Sequence, residues 1–361
     1  MKSSAALLAK RRPSPSGRRA TAPRRSHIQD VAERAGVAIS TVSRVLNSSG
    51  YASKKTRRKV LAAVKTLGYR QNNVARSLRR KRSNLVGLLV PDISNQFYAC
   101  VAKVIENQLS RAGFHLFLCN TEESEEVENA ILDSMINNQV GGFVVIGSGE
   151  QINSRLLRSD VPTVMFDRSD AQIENAHIAF VKTDNYRGGT LATETLLARG
   201  CRRLAMIRTN HPTVPMDERE AAFLDTLRRH GLPRGSYDVY SVSISSQEAM
   251  LKVKEIFARH AYDGLFCAAD ILAIGAVRAL RDLRQSIPDD VQIVGFDDIP
   301  LASFLTPSIS TIASDLSRIG ITLATAIVKL MRGQEVEKVS VLPVRYVERE
   351  STLKEMPCKN G

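Results

Sequence analysis

From residue 85 onward, short apolar segments alternate with amphipathic helical segments, and this alternation limits how the chain can fold. The apolar segments predict strands at 85–90, 114–119, 142–146, 161–166, 204–207, 265–268 and 293–296. Helical periodicity predicts helices near 95–112, 124–138, 187–199, 218–230, 246–260, 270–284 and 314–332. Apolar strands separated by helices are typical of parallel sheets covered on both faces. The pattern is too long for one ordinary doubly wound sheet, so we expect two parallel α/β layers.

The positive charge of the chain is concentrated in its first quarter. Residues 1–83 contain 22 Lys and Arg but only two acidic residues, Asp30 and Glu33, a net charge of +20. Residues 84–361 carry 29 basic and 35 acidic residues, a net charge of −6, within a total of +14. A strongly basic segment joined to a mildly acidic one indicates a polyanion-binding module attached to a second module of another kind.

Several classes of protein are disfavoured by what the sequence lacks. No apolar stretch approaches the ~20 residues needed to span a bilayer, and the stretch at 5–9 is too short for a secretory leader. The five cysteines form no C-x-x-C pair, and the six histidines have no metal-ligand spacing. No G-x-S-x-G, H-E-x-x-H or P-loop motif occurs. We therefore expect no catalytic activity, no cofactor, no metal and no membrane partner.

Residues 27–68 predict three short helices around a small core. Ala32 is small enough for the first two helices to cross closely, and Gly36 suits the positive φ of the turn between them. In the second helix Val42 and Val45 point inward. This orientation leaves an outer face that consists of Ile39, Ser40, Ser43 and Arg44.

The outer face of the second helix has the chemistry of a DNA reader. Ser40 and Arg44 lie one turn apart, and an arginine in the major groove can bind guanine O6 and N7 with two hydrogen bonds. Short hydrogen-bonding side chains nearby suit phosphate contacts: Thr41, Ser43, Asn47, Ser53 and Thr56. The alternative is a small helical bundle with a solvated charged face, but the surrounding charge of +20 favours DNA.

Four motifs of this segment follow one another at a specific spacing. They are D-V-A-E-R-A-G-V from Asp30, T-V-S-R-V-L-N from Thr41, T-R-x-x-V from Thr56 and L-G-Y from Leu67. Together they resemble the lactose/purine repressor family of bacterial transcription factors, and the similarity extends from residue 27 to near residue 353. The resemblance implies a helix-turn-helix head joined by a hinge helix to a periplasmic-binding-protein-like domain of two doubly wound parallel α/β subdomains.

The resemblance also implies which residues contact DNA. Positions 39, 40 and 44 would read base edges, and residues 72–78 would form a hinge helix whose Leu78 wedges into the minor groove. Gln71 stands where the family usually has proline, so we expect hinge folding to depend more on DNA. The predicted DNA-binding residues are Ile28, Ile39, Ser40, Thr41, Ser43, Arg44, Asn47, Ser53, Thr56, Tyr69, Asn72, Ala75 and Leu78.

Polar residues follow several predicted strands of the acidic part, where they would face a cleft between the two layers. Carboxylate, amide and guanidinium groups beside aromatic rings suit a hydroxylated ring ligand. Each of the Asp residues could instead be a helix N-cap. With Arg219 added by the resemblance, the predicted effector-binding residues are Asn95, Phe97, Tyr98, Asp167, Arg168, Arg219 and Asp270.

Two departures from the family pattern concern the predicted cleft. Ala222 stands where glycine is usual, and Ala269 stands where asparagine or glycine is frequent. Either change could reshape the pocket, so the identity of the effector does not carry over from the family. Sugars and their acids are the commonest effectors in the family, and we expect a sugar or a sugar acid here.

The expected organisation has five parts: a disordered basic arm (1–25), a helix-turn-helix domain (26–70), a hinge (71–83), an effector-binding and dimerisation domain (84–353) and a tail (354–361). Within the fourth part, we expect an N-subdomain at about 84–183 and 312–340 and a C-subdomain at about 184–311 and 341–353. The tail is too short and too polar for a heptad bundle, so we expect a homodimer rather than a tetramer.

The predicted function is that of a sequence-specific DNA-binding transcriptional regulator, a repressor, controlled allosterically by a small metabolite. A palindromic operator requires a two-fold symmetric dimer. The expected location is the cytoplasm of a bacterium, at the nucleoid. Residues 84–353 alone would also fit a periplasmic sugar receptor, and a doubly wound fold could carry an enzyme. The attached helix-turn-helix and the missing catalytic motifs argue against these two alternatives.

Overall fold

The computed structural model describes residues 26–46, 50–69, 83–147, 152–168, 173 and 175–353. The chain divides into two compact units on either side of the bond between Arg79 and Arg80. The predicted basic arm, residues 71–82 of the predicted hinge and the predicted tail lie outside the described residues. Within the described part, no helix is long and apolar enough to cross a membrane.

The N-terminal unit consists of three helices around one apolar core. They are α1 (Ile28–Ala35), α2 (Ile39–Leu46) and α3 (Lys54–Leu67). Small and β-branched side chains fill the core: Val31, Ala32, Ala35, Val42, Val45, Val60 and Ala63. These short side chains let three short helices approach closely, and the predicted inward direction of Val42 and Val45 is confirmed.

Local geometry explains where these helices begin and end. Gly36 has a φ of 65°, as the turn between α1 and α2 requires, and its N–H donates to the carbonyl oxygen of Glu33 at 3.1 Å. Ser53 caps α3, because its Oγ accepts the N–H of Thr56 at 3.2 Å. Gly68 ends α3 with a φ of 57°.

The first of two six-stranded sheets in the second unit is entirely parallel. Its strands are β1 (Leu85–Val90), β2 (His115–Asn120), β3 (Gly142–Ile146), β4 (Thr163–Phe166), β5 (Ile178–Thr183) and β11 (Val339–Leu342). Their order is β11-β5-β4-β3-β1-β2. Helices α4 (Gln96–Arg111) and α11 (Leu316–Met331) cover one face. Helices α5 (Glu125–Asn137) and α6 (Ser154–Arg158) cover the other.

The second sheet repeats this plan with one antiparallel edge strand. Its strands are β6 (Leu204–Thr209), β7 (Tyr237–Val242), β8 (Gly264–Cys267), β9 (Gln292–Asp297), β10 (Ser310–Ser314) and β12 (Val344–Val347), in the order β12-β10-β9-β8-β6-β7. Only the β10–β12 pair is antiparallel among these strands. Helices α7 (Asn185–Ala198) and α8 (Val214–Arg229) cover one face, and α9 (Ser246–Phe257) and α10 (Asp270–Asp282) cover the other.

The chain passes between the two sheets three times. It leaves the first sheet after β5 at Thr183, returns after β10 at Ser314, and leaves again between Leu342 at the end of β11 and Val344 at the start of β12. The second and third passages lie a few residues beyond the expected boundaries at 311 and 340. Because each subdomain is assembled from separate stretches of chain, these passages are, within the described residues, the only covalent links between the two sheets.

The strand and helix pattern of the sequence predicted most of this architecture. All seven predicted strands are present, each within two residues of its predicted ends, and so are the seven predicted helices. Helix α8 begins four residues earlier than predicted, because Pro215 occupies its first turn, where a missing N–H costs no helical hydrogen bond. Strands β5, β7, β10, β11 and β12 were not predicted. Among them, β7, β11 and β12 lie at sheet edges and lack a solid apolar run.

Helices α7 and α8 are in unusually close contact. A Cβ atom at Gly189 of α7 would lie 2.6 Å from the carbonyl oxygen of Arg219 on α8 and 2.9 Å from the Cβ of Ala222. A Cβ at Gly188 would lie 2.5 Å from the ring of Phe296 on β9. Glycine at both positions therefore lets α7 lie against α8 and the second sheet.

We expect Gly189→Ala to destabilise the protein by about 1–3 kcal/mol, because the methyl group would meet backbone atoms that cannot rotate away. Urea unfolding followed by circular dichroism measures the change. Arg187→Ala, at an exposed position of the same helix, is the control and should change stability by no more than about 0.5 kcal/mol. Equal stability of Gly189→Ala and wild type would contradict the packing described for α7 and α8.

Candidate functional site

The outward face of α2 carries the predicted base-reading side chains. Ile39 is 45% exposed, and Ser40 and Arg44 are also exposed, while Val42 and Val45 are buried on the opposite side. Thr41 and Ser43 flank this face and are partly buried, and the aliphatic part of Arg44 passes close to Gly50. The helix therefore presents an arginine, a serine and an isoleucine together to solvent.

The other predicted DNA-binding residues lie around this face or outside the described residues. Ser53 and Thr56 are at the N-terminus of α3, with their hydroxyl oxygens 2.9 Å apart. Ile28 and Tyr69 are partly buried against the core of the N-terminal unit. Asn47, Asn72, Ala75 and Leu78 lie outside the described residues.

Exposed residues that were not predicted add to this surface. Tyr51 precedes α3 and is 88% exposed. The first half of α3 presents five exposed basic side chains: Lys54, Lys55, Arg57, Arg58 and Lys59. Thr56, which lies between them in the sequence, is partly buried. The sequence did indicate such residues, through the net charge of +20 on residues 1–83. A basic stretch at the start of a helix, broken here only by Thr56, favours contact with phosphate groups.

A cavity lies between the carboxyl ends of the two sheets in the second unit. Residues of the first subdomain line one side: Asn95, Phe97, Tyr98, Ile146, Gly147, Phe166, Asp167 and Arg168. Residues of the second subdomain line the other: Thr213, Val214, Pro215, Met216, Arg219, Ile244, Ala269 and Asp297. The empty space among them measures about 620 Å³, part of it open solvent.

Aromatic side chains form the apolar wall of the cavity. The rings of Phe97 and Phe166 stack with centroids 6.1 Å apart, and Tyr98 meets Phe97 edge-on at 5.3 Å. Asn95 fixes the start of α4, because its Oδ1 accepts the N–H of Phe97 at 3.0 Å. Burial raises the pKa of Tyr98, and the nearby carboxylate of Asp297 raises it further. The phenol is therefore neutral at physiological pH and can donate a hydrogen bond.

Asp167 and Arg168 follow β4 and bring opposite charges to the same wall. Asp167 has a φ of 51°, and burial raises its pKa to about 6, although the N–H of Thr183 donates to its Oδ1 at 2.7 Å. Arg168 is 5% exposed, and its guanidinium lies against Gly147, where a Cβ atom would collide with it. Burial lowers the pKa of Arg168, and the carboxylate of Glu128 opposes that shift.

Arg219 is a charged residue of the cavity that is held by several neighbouring groups. Its guanidinium lies over the ring of Phe296, with Cζ 3.5 Å from the centroid. Its Nε donates to Oδ1 of Asn185 at 2.9 Å, and its Nη1 donates to the carbonyl oxygen of Ala268 at 2.5 Å. Asp297 stands 3.9 Å from its Nη2. These contacts hold the side chain in one orientation at the edge of the cavity.

The structure corrects one predicted cavity residue and adds another. Asp270 is fully buried and is not among the described residues that line the cavity. Its carboxylate instead accepts hydrogen bonds from the N–H of Ile299 at 2.9 Å and from the hydroxyl of Thr311 at 2.7 Å. Nor is it an N-cap, since α10 begins at Asp270 itself, after Ala269. Asp297 takes the place in the lining that Asp270 was predicted to fill.

Asp297 is the functional candidate that the sequence reasoning missed. It is the last residue of β9, has a φ of 108° and is 8% exposed. Burial raises its pKa to about 7, with Arg219 lowering it and Asp167 raising it. The signal was the position of Asp297 directly after the apolar run of β9, the same relation that identified Asp167 after β4.

The two departures from the family pattern lie in different places. Ala269 lines the cavity, so it affects the shape available to a ligand. Ala222 is fully buried between α7 and α8, facing Gly189, so it affects helix packing instead.

Comparison with known proteins assigns both units to one family. Residues 27–72 match the model described as bacterial regulatory proteins, lacI family, and residues 193–352 match a periplasmic binding protein-like domain. The chain is 35% identical over 333 residues to the ribose operon repressor of Halalkalibacterium halodurans, covering 90% of this chain and 96% of that protein. The chain belongs to the LacI family.

Other relatives and solved structures agree with this membership. The ribose operon repressor of Bacillus subtilis is 32% identical over 330 residues, covering 91% of this chain and 99% of that protein. A lac repressor dimer bound to operator and the anti-inducer ONPF superposes with a TM-score of 0.82 at 26% identity, covering 92% of this chain and 100% of that one. This LacI-family protein is thus a DNA-binding regulator of transcription and not an enzyme, with a helix-turn-helix head and two α/β subdomains.

In this regulator, we expect Arg44→Ala to reduce the preference for operator over random DNA by about 1–3 kcal/mol, because a bidentate contact to one base per half-site is lost. Fluorescence anisotropy with an operator duplex and a scrambled duplex at equal salt measures the preference. Arg34→Ala, at an exposed basic position of α1, is the control and should weaken binding to both duplexes alike. Full operator preference in Arg44→Ala would show that Arg44 does not read a base.

Proposed function

We propose that this regulator is a repressor whose affinity for its operator is controlled by a small neutral sugar of five carbons. The observation that carries the proposal is the cavity between the two subdomains. There, two carboxylates, two guanidinium groups and a stacked pair of phenylalanine rings face one space. Carboxylates accept hydrogen bonds from vicinal hydroxyls, guanidinium groups donate to ring and hydroxyl oxygens, and an aromatic ring covers the apolar face of a sugar.

The balance of charge favours a neutral sugar over a sugar acid. Above about pH 7, where both carboxylates are ionised, Asp167 and Asp297 oppose Arg168 and Arg219, so the lining carries no surplus positive charge. Arg219 is already bound by Asn185, Ala268 and Asp297. An anionic ligand would have to displace one of these contacts or approach a carboxylate, and a buried unpaired charge costs several kcal/mol. A neutral polyol meets no such penalty.

The relatives support a five-carbon ligand. Three relatives that are 32–35% identical to the chain are ribose operon repressors. One similar structure, a LacI-family regulator from Enterococcus faecium, contains bound ribose, with a TM-score of 0.67 at 28% identity. Another, from Alkaliphilus metalliredigens, is complexed with D-xylulofuranose, with a TM-score of 0.67 at 31% identity. Ala269 lines the cavity and affects which pentose fits best.

We infer that the regulator acts as a homodimer on a palindromic operator in the cytoplasm, at the nucleoid. The head at 26–70 would place α2 in the major groove, the hinge at 71–83 would enter the minor groove, and residues 84–353 would bind the sugar and dimerise. Ligand binding between the subdomains would change their relative angle, and thereby operator affinity, by a coupling free energy of about 1–3 kcal/mol. The operator-bound lac repressor dimer supports this arrangement.

A ligand screen by thermal unfolding of the full chain tests the proposal. D-ribose, D-xylulose, D-gluconate and adenine are compared at one concentration, and a sugar at 100 times its Kd should stabilise the protein by about 2.7 kcal/mol. We expect a neutral pentose to raise the melting temperature and D-gluconate to leave it unchanged. Operator titrations with the hit then give the direction of regulation. Stabilisation by D-gluconate or adenine alone would contradict a neutral sugar.

We expect the affinity for a bound pentose to fall as pH is lowered from 8 to 5. Sugar hydroxyls donate to ionised carboxylates, so the decline should begin near pH 7, where Asp297 protonates, and steepen near pH 6, where Asp167 protonates. Calorimetric titration measures the profile. Asp297→Asn should bind about tenfold more weakly at pH 8 and keep only the lower step. Asp133→Asn, an exposed position, is the control, and a flat wild-type profile would contradict the role of these carboxylates.

A further inference from the structure

The first passage of the chain between the sheets is held by the cavity carboxylate Asp167. Oδ1 of Asp167 accepts the N–H of Thr183, the last residue of β5, at 2.7 Å. The same oxygen accepts Nδ2 of Asn185, the first residue of α7, at 3.4 Å. One carboxylate oxygen therefore contacts both ends of the passage from the first subdomain to the second.

Asn185 connects this carboxylate to the arginine of the opposite wall. Its Oδ1 accepts the Nε of Arg219 at 2.9 Å, while its Nδ2 also donates to the carbonyl oxygen of Thr183 at 3.1 Å. Asn185 is 2% exposed and does not itself line the cavity. Its amide thus joins two charged groups, one from each subdomain, from behind the surface that a ligand would touch.

The two sides of this connection are anchored differently. Arg219 and Asn185 belong to one tightly packed block, because α7 lies against α8 through Gly189 and against Phe296 through Gly188. Asp167 follows β4 and belongs to the first subdomain. A change in the angle between the subdomains must therefore change the Asp167–Asn185 contact more readily than the Arg219–Asn185 contact.

We propose that Asn185 is a positioning residue that couples Asp167 and Arg219 to the passage between the subdomains, so that a ligand contacting these two groups sets the angle between the sheets. The proposal rests on the proposed function in one respect, namely that the cavity binds a small polar ligand. Asn185 acts through its neighbours and touches no ligand itself.

The amide is the group that this position requires. It must accept a hydrogen bond from a guanidinium on one side and donate one to a carboxylate on the other, and asparagine offers both in one plane. Leucine, of similar size, can do neither. Aspartate keeps the acceptor for Arg219 but turns a second negative oxygen toward Asp167, and two carboxylates in one site favour uptake of a proton.

The test compares Asn185→Leu, Asn185→Asp and the exposed control Asn138→Asp with wild type at pH 8 and pH 5.5. D-ribose is the probe. Calorimetry gives its affinity, and operator titrations with and without D-ribose give the allosteric ratio, which is the fold-change in operator affinity. The charged or titratable groups around Asp167 are Arg219, Glu218, Tyr98 and Asp297, and they are unchanged in every variant.

We expect Asn185→Leu to lower D-ribose affinity at least tenfold at both pH values and to bring the allosteric ratio close to one. For Asn185→Asp, the affinity relative to wild type should be lower at pH 8 and should recover at pH 5.5, because protonation of Asp167 removes the repulsion. Asn138→Asp should behave as wild type at both pH values. A merely structural role for Asn185 would lower the melting temperature without changing the allosteric ratio or the pH profile.

The outcomes separate this inference from the proposed function. If wild type binds D-ribose and both Asn185 variants keep its affinity and allosteric ratio, the coupling role is wrong and the proposed function stands. If wild type binds no pentose, the proposed function fails, and the unliganded melting temperature decides the coupling between Asn185 and Asp167. The melting temperature of Asn185→Asp should then lie below that of wild type by less at pH 5.5 than at pH 8. An equal difference at both pH values would overturn the proposed coupling.

Discussion

The arrangement of the second unit depends on one buried cation. Arg219 is 4% exposed, and removing a guanidinium from water is tolerated only where nearby groups replace its hydration. Phe296 covers one face of it, Asn185 and the carbonyl of Ala268 accept its hydrogen bonds, and Asp297 supplies the opposing charge. Phe296 and Asp297 come from β9, Ala268 follows β8, and Asn185 begins α7 after the passage from the first subdomain. The cavity wall is thus organised by the requirement to satisfy one charge.

This requirement also bears on the pKa values of the cavity carboxyl groups, which lie near neutral pH. Burial raises the pKa of Asp167 to about 6 and that of Asp297 to about 7, and the nearby charge of Asp167 adds to the rise at Asp297. Arg219 limits both shifts by its positive charge. A site of this kind can accept hydroxyl groups with little change in net charge, which suits a polar but uncharged ligand.

The sequence predicted the features that follow from local rules. Periodicity located the seven main strands and helices, and the need for a positive φ located Gly36. The rule that polar residues at strand ends face the cleft found Asp167, Arg168 and Asn95. The same rule failed at Asp270, because it gives the edge of the sheet but not the direction of a side chain. Adjacent residues point different ways, so Ala269 faces the cavity while Asp270 turns inward to Thr311.

Features that arise from contacts between distant segments were beyond such rules. Asn185 carries no motif in the sequence, and its importance depends on Arg219 and Asp167 meeting it in three dimensions. The edge strands β11 and β12 are short and half-buried, so their pairing is decided by the completed sheets rather than by their own composition.

The three passages between the sheets have a consequence for synthesis on the ribosome. The first sheet begins with β1 at Leu85, yet α11, which covers one of its faces, starts only at Leu316. At a translation rate of roughly 5–20 residues per second, the interval between the end of β5 and the start of α11 lasts on the order of ten seconds. Throughout that time the apolar face that α11 covers in the finished protein lacks its cover. Nascent chains of this regulator therefore present a transient hydrophobic surface to chaperones until about nine-tenths of the protein has been made.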